Sequence, residues 1–427
     1  MGEHCRHVLL YASAAVAAFA GEYTLPHMNS PRARTATVGQ HAPQRLTTAE
    51  MLARLVAFDT TSRNSNLRLI GFVRDYLDGF GVPYRISTSA GGDKANIHAT
   101  IGPQALGGLA LSGHVDTVPV DGQAWSADPF TLRRDDGKLY GRGTCDMKGF
   151  VASFLAAVPD FQAKPLQRPL HLCVTYDEET NFDGVERLID DLNISALRPA
   201  LCVVGEPSGM KPILAHKGRL SLNVSVRGRP GHSSEPAHGV NAVHAAAEAI
   251  AWVAADLRRL AKEGPFDPAF DPPHTTGQAG TVQGGSILNI IPEHAEFTLE
   301  WRDIPGDDAT RHLDRLKAHV AAHIEPAMHA VHKDTGFRYE IINLMPRMSL
   351  PPDHDLAAVV KQVTGSNAAG TVSYGTEGGY YQNAGIATLV CGPGHIAQAH
   401  QPDEFVAQSQ LDACDDFVRR LADRLLT

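Results

Sequence analysis

The amino-acid sequence predicts an α/β fold that carries a second, α+β unit inserted into it. The chain of 427 residues is too long for one ordinary domain. Over residues 46–216 and again over 347–427, apolar strand-like runs alternate with helical patterns, which indicates a mixed, mainly parallel sheet. Over residues 217–346 the strands alternate apolar and polar residues instead, so we expect a separate inserted domain there.

The first domain begins with two helical patterns. They are TTAEMLARLVAF, with Thr47 at the expected N-cap, and NSNLRLIGFVRDYLDGFG, which ends at Gly81. Strands are predicted in YRIST, ANIHATIG, LALSGHVD, PLHLCVTYDEE and LCVVGEP, with helices in GFVASFLAAVPDF and over residues 185–192. Near the C-terminus, HDLAAVVKQVTG, TLVCGPG and LDACDDFVRRLADRLL predict a helix, a strand and a final helix. The near-continuous apolar strands are typical of a sheet covered on both faces.

The inserted unit has a different order of elements. It predicts a strand in RLSLNVSVRG, a long amphipathic helix in NAVHAAAEAIAWVAADLRRLA, and strands in GTVQGG and AEFTLEWRDIPG. A helix in ATRHLDRLKAHVAAHIEPAM and a strand in FRYEIINLMP complete it. This βαββαβ, ferredoxin-like order predicts one sheet with a solvated face and a helix-covered face.

The composition argues against a nucleic-acid-binding protein and against a membrane-spanning protein. With 38 Lys and Arg against 47 Asp and Glu, the net charge is −9, and there is no basic run or aromatic platform for nucleic acid. No segment has the roughly 20 apolar residues of a membrane-spanning helix. Six cysteines without a CxxC pair predict reduced, buried thiols in a cytoplasmic protein. Cys145 precedes a candidate ligand, but neighbouring side chains of an extended segment point to opposite faces, so we expect it to pack.

Residues 1–45 have features of a non-structural extension. Arg6 precedes the run VLLYASAAVAAFA, whose small residues before Gly21 resemble the outline of a secretory signal. The run is Ala-rich and weakly hydrophobic, so export is the alternative to a cytoplasmic location. Translation from Met28 would remove most of this segment. We expect residues 1–45 to be disordered.

Imidazole and carboxylate side chains recur where the predicted strands of the first domain end and in nearby loops. Each has an ordinary explanation by itself, such as a His–Asp hydrogen bond in a turn, an Asp that caps a helix or a solvated acidic loop. Together they match the needs of two metal ions, namely terminal ligands, a bridging carboxylate and a free carboxylate as base. Without a thiolate, the set suits zinc or a similar divalent ion. The six residues are His114, Asp146, Glu178, Glu179, Glu206 and His400.

Two further acids bear on this candidate site. Asp116 lies two residues after His114 and, if the strand continues, faces the same side, where it can orient the imidazole. The run Asp177, Glu178 and Glu179 places like charges together, which raises their pKa values unless a cation is present. Such neighbours can divide two roles, metal ligand and proton acceptor.

Four of these segments, GHVDTVP, GRGTCDMKG, DEET and GEPS, resemble the metal and catalytic blocks of the zinc aminoacylase and peptidase family. This family includes acetylornithine deacetylases, succinyl-diaminopimelate desuccinylases and carboxypeptidase G-like enzymes, and the resemblance covers about residues 46–427. It implies a zinc-peptidase-like catalytic domain with an inserted lid and dimerisation domain. It also implies that one zinc ion is held by His114 and Glu206 and the other by Glu179 and His400. Asp146 would bridge the two ions, and Glu178 would be the general base.

Other segments resemble the acetylornithine deacetylase branch, namely AHKGRLSLNVSVRGRPGHSSEPAHGVNAV, YGTEGGYYQNAG and CGPGHIAQAHQPDEF. The resemblance implies that His232 stabilises the oxyanion, in its own subunit or in the partner of a homodimer. It places Asn289 and Arg302 near the substrate carboxylate, which a planar guanidinium can pair at two points. The alternatives are a turn residue for His232 and a surface ion pair for Arg302.

The implied reaction removes the acetyl group from N2-acetyl-L-ornithine to give L-ornithine and acetate, a step of arginine biosynthesis. Two ions, zinc or alternatively cobalt or manganese, would activate a bridging water, and Glu178 would take its proton. Glu377 could recognise the substrate's amine, or it could simply favour the dipole of a following helix. The alternatives are a related deacylase, desuccinylase or dipeptidase, and a metal-binding protein without catalysis, which the presence of Glu178 disfavours. A succinyl group would need an extra cation, and the sequence assigns none.

Overall fold

The computed structural model describes residues 44–427. The predictions of a disordered extension, an export signal and an alternative start at Met28 lie almost wholly outside these residues. No helix within 44–427 has the length and apolarity to cross a membrane. The cytoplasmic location stays a prediction.

The helices of the described chain follow the predicted order, and most begin or end within a few residues of the predicted positions. They are α1 (Thr48–Val56), α2 (Leu67–Gly79), α3 (Lys148–Ala156), α4 (Val158–Gln162), α5 (Asp183–Ile194), α6 (Ala242–Glu263), α7 (Ala309–His319), α8 (Glu325–Val331), α9 (Asp355–Thr364), α10 (Gly378–Asn383) and α11 (Gln408–Leu426).

The strands include several short ones that no pattern predicted. They are β1 (Tyr84–Thr88), β2 (Ala95–Ile101), β3 (Leu109–His114), β4 (Arg133–Asp135), β5 (Lys138–Tyr140), β6 (Leu170–Thr175), β7 (Leu201–Pro207), β8 (Ile213–His216), β9 (Arg219–Arg227), β10 (Thr276–Gly284), β11 (His294–Arg302), β12 (Gly336–Met345), β13 (Met348–Ser349), β14 (Gly370–Val372), β15 (Ala387–Gly392) and β16 (Phe405–Ala407).

The largest sheet has the order β1-β2-β6-β3-β7-β15-β8-β13, with β14 paired to β8. Its centre, β6-β3-β7-β15, is parallel, while β1, β2 and β13 pair in antiparallel fashion. Along β3 and β7 successive side chains enter different hydrophobic clusters, Leu111 and Val203 on one face and Ala110 and Val204 on the other. Burial on both faces explains the near-continuous apolar runs and confirms the predicted mixed α/β sheet.

A second sheet, β10-β11-β9-β12, is wholly antiparallel and lies within residues 219–345. Its strands and α6 and α7 occur in the βαββαβ order that the sequence predicts. Along β9, alternate residues from Leu220 to Val226 are buried in a cluster of their own against these helices. The domain boundaries at residues 217 and 346 stay a prediction, since a separate core does not define where a domain begins.

One predicted helix is interrupted. We expected a continuous helix over ATRHLDRLKAHVAAHIEPAM, but a π-helical turn, Val320–Ile324, separates α7 from α8. Pro326 has no N–H to donate to the carbonyl of Ala322, so the regular hydrogen-bond ladder cannot pass through it.

A third, small sheet has the order β16-β5-β4. It pairs Phe405–Ala407, just after the loop of His400, with Lys138–Tyr140, just before the loop of Asp146. Two loops more than 250 residues apart are thereby held side by side. This pairing brings the late histidine to the strand ends of the largest sheet.

Candidate metal centre and active site

The candidate ligands converge because three neighbouring parallel strands end at the same edge. His114 is the last residue of β3, the acids 177–179 follow β6, and Glu206 lies one residue before the end of β7. Open α/β sheets form their ligand sites at the carboxyl ends of their strands. Gly205 lets α3 pack closely beside Glu206, since a Cβ there would lie 1.9 Å from the Phe150 ring.

Two groups of side chains can each surround a metal ion. Atoms of His114, Asp146 and Glu206 lie within 4.8 Å of one another, and so do atoms of Asp146, Glu179 and His400. His114 Nε2 is 3.1 Å from Asp146 Oδ1, while His400 Nε2 is 3.3 Å from Asp146 Oδ2. Asp146 therefore offers one carboxylate oxygen to each group, as a bridging ligand would.

Raised pKa values of these groups indicate that the cavity favours positive charge. Burial, followed by the charges of Asp146 and Glu178, raises the pKa of Glu206 well above its usual range. Burial likewise raises the pKa of Glu179 to about 7. Hydrogen bonds with Asp146 and Glu179 raise the pKa of His400 to about 10. The buried Glu206 Oε1 has no hydrogen-bond partner. Divalent ions would replace these shared protons, so the donor set fits a pair of them.

Glu178 lies beside both groups without belonging to either, and it lines the same cavity as the candidate ligands. Burial raises the pKa of this carboxyl well above its usual range; Glu179 and Asp146 add to the shift, and His114 opposes it. A partly buried carboxylate that faces the cavity is suited to accept and return a proton.

Asp116 organises this edge of the sheet. Strand β3 ends at His114, so Asp116 lies beyond the strand, contrary to the expected continuation. Its backbone oxygen is 3.0 Å from His114 Nδ1, and its carboxylate Oδ1 is 3.4 Å from the same atom. The carboxylate also accepts from the N–H groups of Glu178 at 3.1 Å and Glu179 at 3.2 Å. Asp116 thus holds the imidazole and the two glutamates in one frame.

The neighbouring predictions have simpler outcomes. Asp177 pairs with Lys94 and is not part of either group. Cys145 is buried, with Sγ 3.4 Å from the carbonyl oxygen of His395, and burial raises the pKa of its thiol. All five cysteines of the described chain are free and buried, as predicted.

A buried ion pair that we did not predict fastens the two ligand loops. Arg142 Nη1 is 2.6 Å from Glu404 Oε2, and each side chain is only 1% exposed. Glu404 Oε1 accepts from the N–H groups of Cys145 at 2.9 Å and Asp146 at 3.1 Å. Burial raises the pKa of Glu404, while Arg142 and the backbone N–H groups favour its carboxylate form. We call this arrangement the Arg142–Glu404 clamp.

The cavity in front of these groups has a volume of about 190 Å³. Its wall is formed by four of the candidate ligands, all but the fully buried His114, and by Glu178. It also includes Phe182, Arg219, Arg302, Met345, Tyr374 and Ile396. The sequence predicted Arg302 but not Arg219 or Tyr374. Arg219 opens β9, where it has the appearance of a solvated strand residue, and only the fold places it at the cavity.

Comparison with known proteins is consistent with this geometry. Residues 110–424 match the model of peptidase family M20/M25/M40. The chain belongs to peptidase family M20. An acetylornithine deacetylase of Proteus mirabilis is 36% identical over 373 residues, which cover 86% of this chain and 92% of that protein. As an M20 protein with such relatives, the chain is a hydrolase of amide bonds.

Solved M20 structures share the fold. The metallo-carboxypeptidase Sso-CP2 of Sulfolobus solfataricus superposes with a TM-score of 0.67 at 17% identity, covering 88% of this chain and 98% of that one. The YXEP protein of Bacillus subtilis, described as a dinuclear metal-binding peptidase, gives a TM-score of 0.60 at 14% identity. It covers 88% of this chain and 97% of that one. At such identities the likeness establishes the fold alone.

Three residues that the sequence predicted to contact the substrate, His232, Asn289 and Glu377, do not line the cavity. His232 and Asn289 are exposed on adjoining segments of the inserted unit, where Ser233 N–H donates to Asn289 O at 3.2 Å. Glu377 is fully buried at the N-terminus of α10, with Ser112 Oγ 3.3 Å from its Oε2. This position gives no support to the recognition of a substrate amine by Glu377.

Proposed function

We propose that this M20 hydrolase deacylates N-acyl amino acids, with N2-acetyl-L-ornithine as substrate and L-ornithine and acetate as products. The reaction would serve arginine biosynthesis in the cytoplasm. The observation that carries the proposal is the pair of His–carboxylate groups that share Asp146, with Glu178 free beside them. The relative in Proteus mirabilis that is named acetylornithine deacetylase supports the choice of acyl amino acid.

The two groups of donor atoms support a division of the ligands between two metal ions. His114 and Glu206 would bind one divalent ion, Glu179 and His400 the other, and Asp146 both. A mixed imidazole and carboxylate set suits zinc, with cobalt or manganese as alternatives. When bound, such ions acidify water and polarise a carbonyl group.

Glu178 would carry the proton between water and the leaving amine. Asp116 holds the backbone N–H of Glu178, which fixes the carboxylate at the cavity wall. The pKa of Glu178 is raised above that of an exposed glutamate. Such a carboxylate holds a proton more readily, which suits a group that accepts a proton and later returns it. The carboxylate takes a proton from the attacking water and returns it to the nitrogen of the broken amide.

His232 would stabilise the oxyanion in trans, within a homodimer formed through the inserted unit. Ser234 N–H donates to His232 Nδ1 at 3.2 Å, so the neutral ring carries its proton on Nε2. That ring is exposed and can donate this proton to a substrate oxygen on a partner subunit.

A second candidate substrate carries an additional carboxylate, as an N-succinyl amino acid does. Such a substrate needs a further cation in the site. Arg219 supplies one at the cavity wall, which the sequence did not assign. A desuccinylase therefore remains the competing function.

Activity on a small panel of substrates tests the proposal. The enzyme is loaded with zinc, its metal content is measured, and hydrolysis of N2-acetylornithine, N-acetylmethionine, an N-succinyl amino acid and a dipeptide is compared. We expect two ions per chain and the highest kcat/KM for N2-acetylornithine. If the enzyme prefers the succinyl substrate or the dipeptide, N2-acetylornithine is not its substrate. If the metal-loaded protein hydrolyses none of the four compounds, the proposed deacylase function is wrong.

A further inference from the structure

The two arginines at the cavity wall differ in how their charges are satisfied. Arg302 is held by its neighbour Glu300, with Nε 2.9 Å from Oε1 and Nη2 3.2 Å from Oε2. Arg219 takes part in no ion pair within residues 44–427. Its Nε is buried and has no hydrogen-bond partner. Arg219 is thus the guanidinium of the cavity that remains available to a ligand.

An unpartnered buried donor on a charged group is unfavourable, because it has lost its hydrogen bonds to water without gaining one within the protein. The side chain of Arg219 is also restrained in direction. Its Cζ lies 5.9 Å from the centre of the Phe182 ring, and its backbone pairs with Met345 in the neighbouring strand. Phe182 and Met345 both line the cavity. Arg219 is therefore held at the cavity wall beside two apolar side chains, and its planar guanidinium can pair with a carboxylate at two points.

The rest of the cavity indicates which anion is meant. Four acids, Asp146, Glu178, Glu179 and Glu206, line the cavity together with His400, and its wall also carries Arg219 and Arg302. A substrate with an amide for the acidic end and a carboxylate for the cationic end fits this polarity. Every N-acyl amino acid has both groups, and an N-succinyl amino acid has a second carboxylate.

We propose that Arg219 binds a carboxylate of the substrate and so selects acyl amino acids over uncharged amides. The inference rests on the proposed deacylase function, because it names the group that orients the same substrate. The charge of Arg302 is largely neutralised by Glu300, so Arg302 attracts the substrate carboxylate less strongly than Arg219 does. Arg219 is a binding residue, and its loss weakens binding more than it slows the chemical step.

Three compounds distinguish whether Arg219 binds the α-carboxylate or a carboxylate of the acyl group. They are N2-acetyl-L-ornithine, its α-carboxamide and N2-succinyl-L-ornithine. In Arg219→Gln, loaded with zinc, we expect KM for the acetyl acid to rise about 10- to 100-fold while kcat changes by less than about threefold. KM or Ki for the α-carboxamide should stay within about twofold. A loss confined to the succinyl substrate would assign Arg219 to the acyl carboxylate instead, which still supports a carboxylate site.

Matched variants control for structure. Arg227→Gln removes an exposed arginine at the far end of the same strand and should leave all three ligands unaffected. Arg219→Lys keeps the charge without the planar fork and should recover part of the affinity. Metal content and the melting temperature should stay those of the parent protein.

Two outcomes overturn the inference. One is an equal change of KM for the acid and its α-carboxamide in Arg219→Gln, which would show a general structural effect. The other is no change for any carboxylate ligand. If the parent protein hydrolyses none of the three compounds, the proposed function fails. The Kd of N2-acetyl-L-ornithine, measured by calorimetry for the parent protein and for Arg219→Gln, then still tests whether Arg219 binds a carboxylate. If the two Kd values differ by less than about twofold, the proposed role of Arg219 is wrong.

Discussion

The Arg142–Glu404 clamp makes a strong prediction about stability. Glu404→Gln keeps the shape of the side chain and an oxygen that can accept from the N–H groups of Cys145 and Asp146. It removes the negative charge 2.6 Å from Arg142 Nη1 in a place where both side chains are 1% exposed. Removal of one partner of a buried ion pair typically costs about 3–5 kcal/mol, because the remaining charge is left unpaired.

The contacts that remain to Arg142 place the expected loss at the lower end of that range. Its Nη2 lies 2.5 Å from Gln123 Oε1, and its guanidinium lies 5.0 Å from the centre of the Trp125 ring. We expect Glu404→Gln to lower the free energy of unfolding by about 3 kcal/mol. Addition of Arg142→Met removes the unpaired charge and should recover part of that loss.

Urea denaturation of the metal-free proteins measures this effect from midpoints at constant slope. The control is Asp135→Asn, which breaks the exposed pair with Arg133 and should cost less than about 1 kcal/mol. The clamp also holds the loops of Asp146 and His400, so Glu404→Gln should weaken zinc binding about 10- to 100-fold. A loss of stability below about 1 kcal/mol with unchanged zinc affinity would refute this reasoning.

Three further predictions follow from the packing and the buried charges. Gly205→Ala puts a Cβ 1.9 Å from the Phe150 ring and should lower the unfolding free energy by about 1–3 kcal/mol or more, and an unchanged urea midpoint would contradict this. Burial lowers the pKa of His98 to about 3 and of His171 to about 4, below the unfolded value of about 6.5. The unfolded chain therefore binds more protons than the folded chain, and the free energy of unfolding falls as the pH drops from about 6.5 towards 4. In His171→Asn the unfolding free energy, measured by denaturation at several pH values, should depend less on pH. A pH dependence equal to that of the parent protein would contradict this prediction. Glu377→Gln should change KM for N2-acetylornithine and N-acetylmethionine by the same factor, because the carboxyl is fully buried, and a selective rise for acetylornithine would restore its predicted role.

The parts of the site that the sequence predicted are those that depend on strand ends. His114 and Glu206 follow long apolar runs, and such runs become parallel strands whose carboxyl ends meet at one edge. Residue type then suffices to suggest a metal site. The position of His400 could not be predicted from strand ends, since it depends on β16 and β5, and three-residue strands have too little periodicity to recognise.

The omissions have a physical cause of the same kind. Arg219 lines a cavity formed by distant segments, and Glu404 pairs with a residue far away in sequence. A lone charged residue at a strand or loop has the same local pattern whether it faces solvent or a cavity. The substrate-binding role of Glu377 stays a prediction, and the structure places its side chain away from the cavity. Its neighbours in sequence resemble a substrate loop, but the start of α10 directs the carboxyl towards Ser112 in β3. Local sequence contains no information on that direction.

The most direct test of the central claim is the activity of Glu178→Gln at a known metal content. We expect this variant to bind as much zinc as the parent, because Glu178 belongs to neither group of candidate ligands. We also expect kcat for N2-acetylornithine to fall by at least about a hundredfold, because the proton acceptor is lost. Glu186→Gln, an exposed glutamate on α5, should behave as the parent does. Full turnover by zinc-replete Glu178→Gln would contradict the role of Glu178 as the proton acceptor.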